Sequence, residues 1–476
     1  MGPGKDIFKT PARRPFTRSL VQRTPDAPQK PIFKDEEEQQ IDECQLQMEH
    51  ETLQKELSPA FWLYAESVKT ETILQKLEKY RNKYRDTYFK NDDDPASEND
   101  DILQVVDMSA EDVKSDDPVE DHQNILQVVD MSPEDVKSKI GKLTALAPER
   151  GFPVPSRAES SQRFSDTLES WVLKRNREFK RKDTHDGEQY NITHALLTRI
   201  YKLCTKKKHM LLREIYYSNT KLYKDVERVA EAVNDVCCMI GCTRNSLYVS
   251  AGEKGLVYGD ISFKLGELDF DGRSGGSRGI TIPSNTSSIS DIRSKDRLYF
   301  VIVVEKDTVF ERLAEDGFCE KYHCIIITGK GMPGVDTRIF LHKISIELQL
   351  PVFALMDCNP YGLRIYSVYR YGSKKMSYDR DNLTTPYIQL LGIRYSDIDK
   401  FKIPAELLEE LTEKDKETAM RLMGRRHLKD YHHDLKSMIE ENKKIQIEAL
   451  YYDDLEYLAE VALPMMLDEK LTQLLK

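Results

Sequence analysis

The sequence predicts an α/β protein, α+β overall: a winged helix-turn-helix unit followed by a parallel sheet and a helical C-terminal part. Three observations predict it. Three helical periodicities between residues 194 and 240 are followed by two short β segments. From residue 298, apolar strand runs alternate with amphipathic helices, the pattern of a parallel sheet with right-handed crossovers. Beyond residue 399 the pattern stays helical.

The elements follow in order. Residues 165–182 read as a helix with Trp171 on its apolar face. Thr193 is placed to cap a helix over 194–204, whose Leu196, Leu197, Ile200 and Leu203 share one side. Residues 211–219 and 225–240 are the next two helices, and 211–219 takes the recognition position. Segments 246–250 and 255–263 are the strands of a wing. Strands are then predicted at 298–304, 324–328 and 352–356, with helices at 307–317 and 336–348. In such sheets the functional crevice lies beyond the carboxyl ends of the strands. That places Glu305, the run Thr328-Gly329-Lys330-Gly331 and the run Asp357-Cys358-Asn359 together.

Residues 1–160 differ in character and read as a largely disordered acidic extension. Of the net charge of −10, residues 1–150 carry −11 and the remainder about +1. Residues 1–34 are basic and Pro-rich, with no apolar core of a secretory signal. Residues 61–88 have helical spacing, as one exposed helix or a partner-binding segment, and 91–121 are acidic and poor in core formers. This region holds a tandem duplication: ILQVVDMSAEDVKS (102–115) recurs as ILQVVDMSPEDVKS (125–138), differing only at Ala110 and Pro133. Two copies do not make a solenoid. A duplicated linear motif is the plainer reading, and repeated docking of a partner is the alternative.

Composition excludes several classes. No apolar run approaches a membrane span of about 20 residues. The eight cysteines form no CxxC pattern and fit reduced, buried thiols of the cytosol or nucleus. No GxxxxGK[ST] loop points to an ATPase. The acidic total does not exclude nucleic acid, because residues 174–213 carry 12 basic against 4 acidic residues. That stripe, which includes Lys206, Lys207 and Lys208, is either a phosphate-binding surface or a solvated helix face.

Three groups of residues can carry chemistry. Glu305 and Asp357 each follow an apolar strand; two carboxylates at neighbouring strand tips repel unless a cation such as Mg²⁺ lies between them, and Asn359 offers a further oxygen. Taken singly, each acid reads equally well as a helix cap. The Thr328–Gly331 run either approaches a phosphate or is a simple turn. Tyr216-Tyr217 on a short helix ordinarily packs in a core. The alternative is covalent catalysis, in which a phenol oxygen attacks a DNA phosphate with Arg213 one helical turn away.

In this order the motifs resemble the topoisomerase VI A-subunit family, and within it the branch that makes meiotic double-strand breaks. Arg213-Glu214-Ile215-Tyr216-Tyr217 resembles R-[DE]-x-[FY]-Y, which implies Tyr217 as nucleophile and Arg213 as its arginine. Ala251–Val257 resembles the wing, with Lys254 at its basic position. Val303-Val304-Glu305-Lys306-Asp307 resembles the V-E-K-[DE] opening of a Toprim domain and implies Glu305 as a metal ligand. Thr328-Gly329-Lys330-Gly331 with Thr337-Arg338 is similar to T-G-K-G-x-P-x-x-x-T-R, and Asp357–Gly362 to D-x-D-P-x-G. Asn359 departs from the last motif, which removes one negative charge from the metal site.

The resemblance spans residues 164–464. It implies a winged-helix domain at 164–290 carrying the tyrosine and a Toprim domain with C-terminal helices at 291–476. It further implies Mg²⁺ at Glu305, Asp357 and Asn359, and double-stranded DNA held by Lys254, Lys206, Lys207, Lys208 and Lys330. The implied assembly is a homodimer across the duplex with an ATPase-fold B-subunit-like partner, and the implied action is meiotic double-strand-break formation by tyrosine transesterification. The long tail and reduced cysteines point to the nucleus. A resealing topoisomerase and a non-catalytic DNA-binding scaffold are the alternatives.

Overall fold

Ile73, Leu77, Tyr80 and Tyr84 recur at helical spacing and are all buried on one face of α1 (Thr70–Tyr88). The computed structural model describes residues 70–89, 125–174 and 187–476. Residues 61–69 and 90–124, including the first repeat copy, lie outside them. The apolar face of α1 packs along the C-terminal helix Leu463–Leu475. Tyr80 lies with its ring centroid 5.9 Å from that of Phe353 in the central sheet. The segment expected to be exposed or reserved for a partner is therefore a structural layer of the folded body.

The second repeat copy is folded as well. Ser132 caps α2 (Pro133–Arg150) by accepting from the Asp135 N–H, and Pro133 stands at the first helical position, where its missing N–H costs nothing. Val128, Val136, Ile140 and Ala147 join the core formed by the next helices. The boundary expected near residue 160 therefore does not mark where the ordered chain begins.

Residues 165–174 are not helical. β1 (Gln162–Ser165) and β2 (Ser170–Leu173) form an antiparallel hairpin, with Val172 and Leu173 fully buried. A short apolar run beside charges fits either period, and the tertiary contacts decide it for strand. The stretch 175–186 of the expected helix and basic stripe lies outside the described residues. Thr193 is buried within α3 (Glu188–Lys206), which starts a turn and a half before that residue, so it is not a cap. The short α4 (Leu212–Ser218) packs on α5 (Val226–Ile240), whose first turn is capped by the Asp225 carboxylate accepting from Arg228 N–H.

The expected wing strands part company. Val249–Ser250 pairs in parallel with Met210–Leu211 beside α4. β3 (Leu256–Gly259) instead enters the central sheet, antiparallel to residues 324–328, and its other edge takes β4 (Ile280–Thr281). Leu256 and Val257 are buried there. Ser262–Leu265, Leu268–Asp271 and Ile289–Arg293 form a separate antiparallel sheet.

The chain then alternates as expected: β5 (Phe300–Val304), α6 (Asp307–Glu315), β6 (Cys324–Thr328), α7 (Val335–Glu347), β7 (Val352–Leu355), α8 (Pro360–Tyr371) and β8 (Gln389–Gly392). The six-stranded sheet has the order β8-β7-β5-β6-β3-β4. Strands β8, β7, β5 and β6 are mutually parallel. Every residue of β5, β6 and β7 is buried, as expected of strands covered on both faces. The connection from β5 runs to β6 on one side, and the next returns across β5 to β7 on the other. The carboxyl end of β5 is thus a topological switch point, where the loops diverge and leave a crevice.

Candidate active site

Glu305 follows the last residue of β5, and Asp357 lies two residues past β7, its neighbour. Both are buried, at 8% and 5% exposure. The Asp357 N–H donates to Glu305 Oε2 at 3.1 Å. The Glu305 N–H donates to the Leu355 carbonyl at 3.2 Å, which fixes the turn out of the sheet. Gly362 of α8 closes the back of the site: a Cβ there would stand 2.3 Å from the Asp357 carbonyl oxygen and 3.1 Å from Glu305 Oε2. In the sequence this glycine is only a motif position; its cause in the fold is close approach.

Burial and the facing Asp357 charge push the Glu305 carboxyl up to about 8. Asp357 is also raised, by burial, although Lys306 opposes the shift. The Lys306 ammonium lies 3.2 Å from Asp357 Oδ2 and 2.5 Å from Glu448 Oε2, and it donates to Gln446 Oε1 at 2.6 Å. The Ile447 N–H donates to Asp357 Oδ1 at 2.9 Å. The segment 446–448 thus completes the site from far along the chain. The sequence resemblance extends over residues 444–450, but it gave Glu448 and Ile447 no role at the strand tips, because no local signal joins them there. Lys306 carried a signal, a cation directly after the first acid.

Two facing carboxyls whose charged forms burial opposes suit a doubly charged hard cation, which would offset that cost. Among the described residues no three His, Cys, Asp or Glu side chains gather as a metal cluster. A cation here would have two carboxylates, with water or a phosphate completing its shell. Asn359, expected to offer a further oxygen, stands beside the pair as the cap of α8. Its Oδ1 accepts from the Gly362 N–H at 2.7 Å and caps α8, while its Nδ2 faces Asp357 Oδ2 at 3.4 Å. The orphan N–H groups of the helix start compete for that oxygen, and they hold it.

The Thr328–Gly331 run folds over the end of β5. Thr328 Oγ1 and the Gly331 N–H both donate to the Glu305 carbonyl, at 3.3 and 2.7 Å. Lys330 and Gly331 take positive φ, 52° and 82°, a conformation that glycine adopts without strain. The exposed Lys330 side chain lies 3.8 Å from Asp307 Oδ2. Lys254 reaches the same place: its Nζ donates to the Met332 carbonyl at 3.0 Å, and burial together with the Lys330 charge lowers its pKa. Two lysines from distant parts of the chain therefore stand together at the loop that folds over the end of β5.

Tyr217 and Arg213 stand on α4, which packs on α5. Leu212 and Ile215 anchor α4, and Glu214 reaches back to accept from the Leu211 N–H at 2.7 Å. Tyr216 packs on the core, while Tyr217 points outward at 70% exposure. Arg213, one turn earlier, is also exposed. Lys206, Lys207 and Lys208 are exposed where α3 ends, with Lys207 in the left-handed conformation. Among the described residues, no hydrogen bond, ion pair or ring contact joins Tyr217 or Arg213 to Glu305 or Asp357.

Comparison with known proteins bears on both groups of residues. Residues 300–467 match the family described as the Toprim domain of the topoisomerase 6 A-subunit and Spo11, and residues 189–249 match that described as type IIB DNA topoisomerase. The chain is 41% identical over 323 residues to the DNA topoisomerase 6 A-subunit of Arabidopsis thaliana, covering 67% of this chain and 75% of that one. The protein belongs to the topoisomerase 6 A-subunit/Spo11 family. Two further members are similar to it. Meiotic recombination protein SPO11-1 of Arabidopsis thaliana is 36% identical, over 56% of this chain and 75% of its own. Meiotic recombination protein SPO11 of Homo sapiens is 31% identical, over 60% and 73%. Membership makes the chain a DNA topoisomerase-like transesterase and the β5–β8 region a Toprim domain. Glu305, Asp357 and Glu448 fall within the first matched segment; Tyr217 falls within the second.

Proposed function

We propose that this chain cuts both strands of a DNA duplex by transesterification, with Tyr217 as the nucleophile and Glu305 and Asp357 as ligands of Mg²⁺. The observation that carries the reading is the pairing of an outward-facing Tyr217 beside Arg213 with a buried carboxylate pair at the switch point. The Tyr217 phenol oxygen forms a bond to phosphorus, and the bond from phosphorus to the 3′ oxygen breaks. The phenol gives up its proton and the leaving 3′ oxygen gains one. The product is a 5′-phosphotyrosyl link and a free 3′ hydroxyl, so the phosphodiester's bond energy is conserved.

Arg213 stabilises the charge that develops at the phenol oxygen. Lys254 and Lys330 hold the DNA backbone beside the carboxylates, and Lys206, Lys207 and Lys208 extend the phosphate contact, giving salt-sensitive and largely sequence-independent affinity. Bound Mg²⁺ would supply charge stabilisation at the phosphate oxygens. Asn359 serves as the cap that holds α8 and Gly362 under the pair. Because Tyr217 has no contact with the pair within the chain, the reading requires two copies, the tyrosine of one meeting the Toprim site of the other. An ATPase-fold B-like partner completes the assembly, in the nucleus.

Such cleavage opens meiotic recombination, and the similarity to the two meiotic recombination proteins supports that use. A second reading, one half of a topoisomerase that reseals its breaks, is favoured by the higher identity to the topoisomerase 6 A-subunit. Incubation of supercoiled plasmid with the chain, a B-like partner, Mg²⁺ and ATP separates them. Linear DNA with protein on both 5′ ends and no relaxed circles supports break formation. ATP-dependent relaxation supports the topoisomerase. Intact supercoils under all conditions, with binding retained, would leave only the scaffold.

A further inference from the structure

The second repeat copy occupies a seat whose every specific contact comes from residues that the first copy shares. The Leu126 N–H donates to the Leu173 carbonyl at 2.8 Å, continuing the β1–β2 hairpin as a third edge, and Ile125 bridges Lys174. The Val129 N–H donates to the Gly241 carbonyl at 3.3 Å, and the Val129 carbonyl accepts from the Thr243 N–H at 3.2 Å. Asp130 accepts from the hydroxyls of Thr243 and Ser246, and the Met131 N–H donates to Ser246 Oγ at 2.8 Å. Val128 and Val136 are buried against the α3–α5 core, and Ser132 and Asp135 cap α2.

The first copy, residues 102–115, has the identical residue at each of these places, 23 positions earlier: Ile102, Leu103, Val105, Val106, Asp107, Met108, Ser109, Asp112 and Val113. Each chain thus carries one seat and two segments written to fit it. We propose that residues 102–115 take this seat in exchange for residues 125–138 of the same chain, giving the N-terminal segment two registers 23 residues apart. The described register is the favoured one for two reasons. Pro133 presets the first helical turn where the first copy has Ala110. After the second copy the helix continues through Lys139, which donates to the Ile240 carbonyl at 2.8 Å, and Ile140, which is buried; the first copy is followed by Asp116 and Asp117. Taking the other register loops out the intervening residues, whose closure entropy grows only slowly with their number. The second register is therefore a minor state that a lesion in the second copy brings forward.

Thermal unfolding of the full chain tests this with Val136→Asp, Val113→Asp and the pair. Val113→Asp alone leaves Tm unchanged. Val136→Asp lowers it, and the pair lowers it at least about twice as far, because neither copy then fits and coupled sites are not additive. A Val136→Asp chain that loses as much as the pair, or fails to fold, overturns the proposal. Hydrogen exchange gives a readout that needs no damaged seat. Deleting residues 102–124 removes the competitor, and the amides of residues 125–138 then exchange more slowly, by at least about twofold. The same rates in both chains overturn the proposal equally.

Discussion

At Asn359 a single residue decides how many charges the crevice holds. Its oxygen caps α8, and aspartate caps a helix equally well. Asn359→Asp therefore keeps the helix and places a third carboxylate beside two that are already raised by burial. Without divalent metal the variant unfolds at a lower temperature than the wild type, by an amount on the order of 1–3 kcal/mol for an added buried charge. With saturating Mg²⁺ the order reverses, because the ion gains a charged ligand. Thermal scans with and without Mg²⁺ check this, and a variant indifferent to Mg²⁺ would count against a cation at Glu305 and Asp357.

Among the elements, α5, on which the Tyr217 helix packs, is tied to the Toprim side by a buried polar seam. Asn234 of α5 accepts from Arg244 and from the Tyr378 hydroxyl at 2.7 Å. Next to Tyr378, the Asp379 carboxyl is buried and pushed up to about 7 by desolvation, against the lowering effect of its Asn382 bond and of Arg338. A raised acid is protonated in the fold, so its contribution is fully present below the unfolded value of 3.8 and is lost as pH climbs to about 7. Stability falls across that window by a few kcal/mol at most. Asp379→Asn keeps the shape and removes the titration. Denaturant midpoints at pH 5 and pH 8 then differ less in the variant than in the wild type, and equal differences would refute the assignment.

The elements also show what could be read from the chain alone. β5, β6 and β7 were legible because strands buried on both faces are unbroken apolar runs, and the acids ending two of them announced the crevice. The Tyr217 helix was legible from its motif. The fate of Leu256–Gly259 was not, because an apolar pair in a wing and in a central sheet look alike locally; only the pairing with Cys324–Thr328 distinguishes them. The hairpin at 162–173 was misread because Trp171, Val172 and Leu173 fit a helical stripe over so short a span. The folded places of α1 and of the second repeat copy, each in a different part of the body, were hidden by the acidic composition around them. The place of Glu448 at the site was not legible, because it lies 142 positions from Lys306 and only the fold brings the two together.

On the scale of the molecule, the proposed reading makes a dimer part of the chemistry, because no hydrogen bond, ion pair or ring contact among the described residues joins Tyr217 to the carboxylates. A mixture of Tyr217→Phe and Glu305→Gln chains has one intact site in each mixed dimer if the sites are shared, and none if each chain is complete. Each variant alone leaves supercoiled DNA uncut, and the mixture restores single-strand nicks to about a quarter of the wild-type site count, since half the dimers are mixed and each keeps one site of two. A mixture as inert as its parts would place the whole site within one chain.

The function proposed for this chain depends on the covalent bond at Tyr217. The most direct test is recovery of protein–DNA adducts under denaturing conditions, with Mg²⁺, from wild-type and Tyr217→Phe chains assembled with their partner. The expected result is DNA joined through its 5′ phosphate to the peptide bearing Tyr217, absent from the variant although DNA binding persists. An adduct of equal yield in Tyr217→Phe would contradict it.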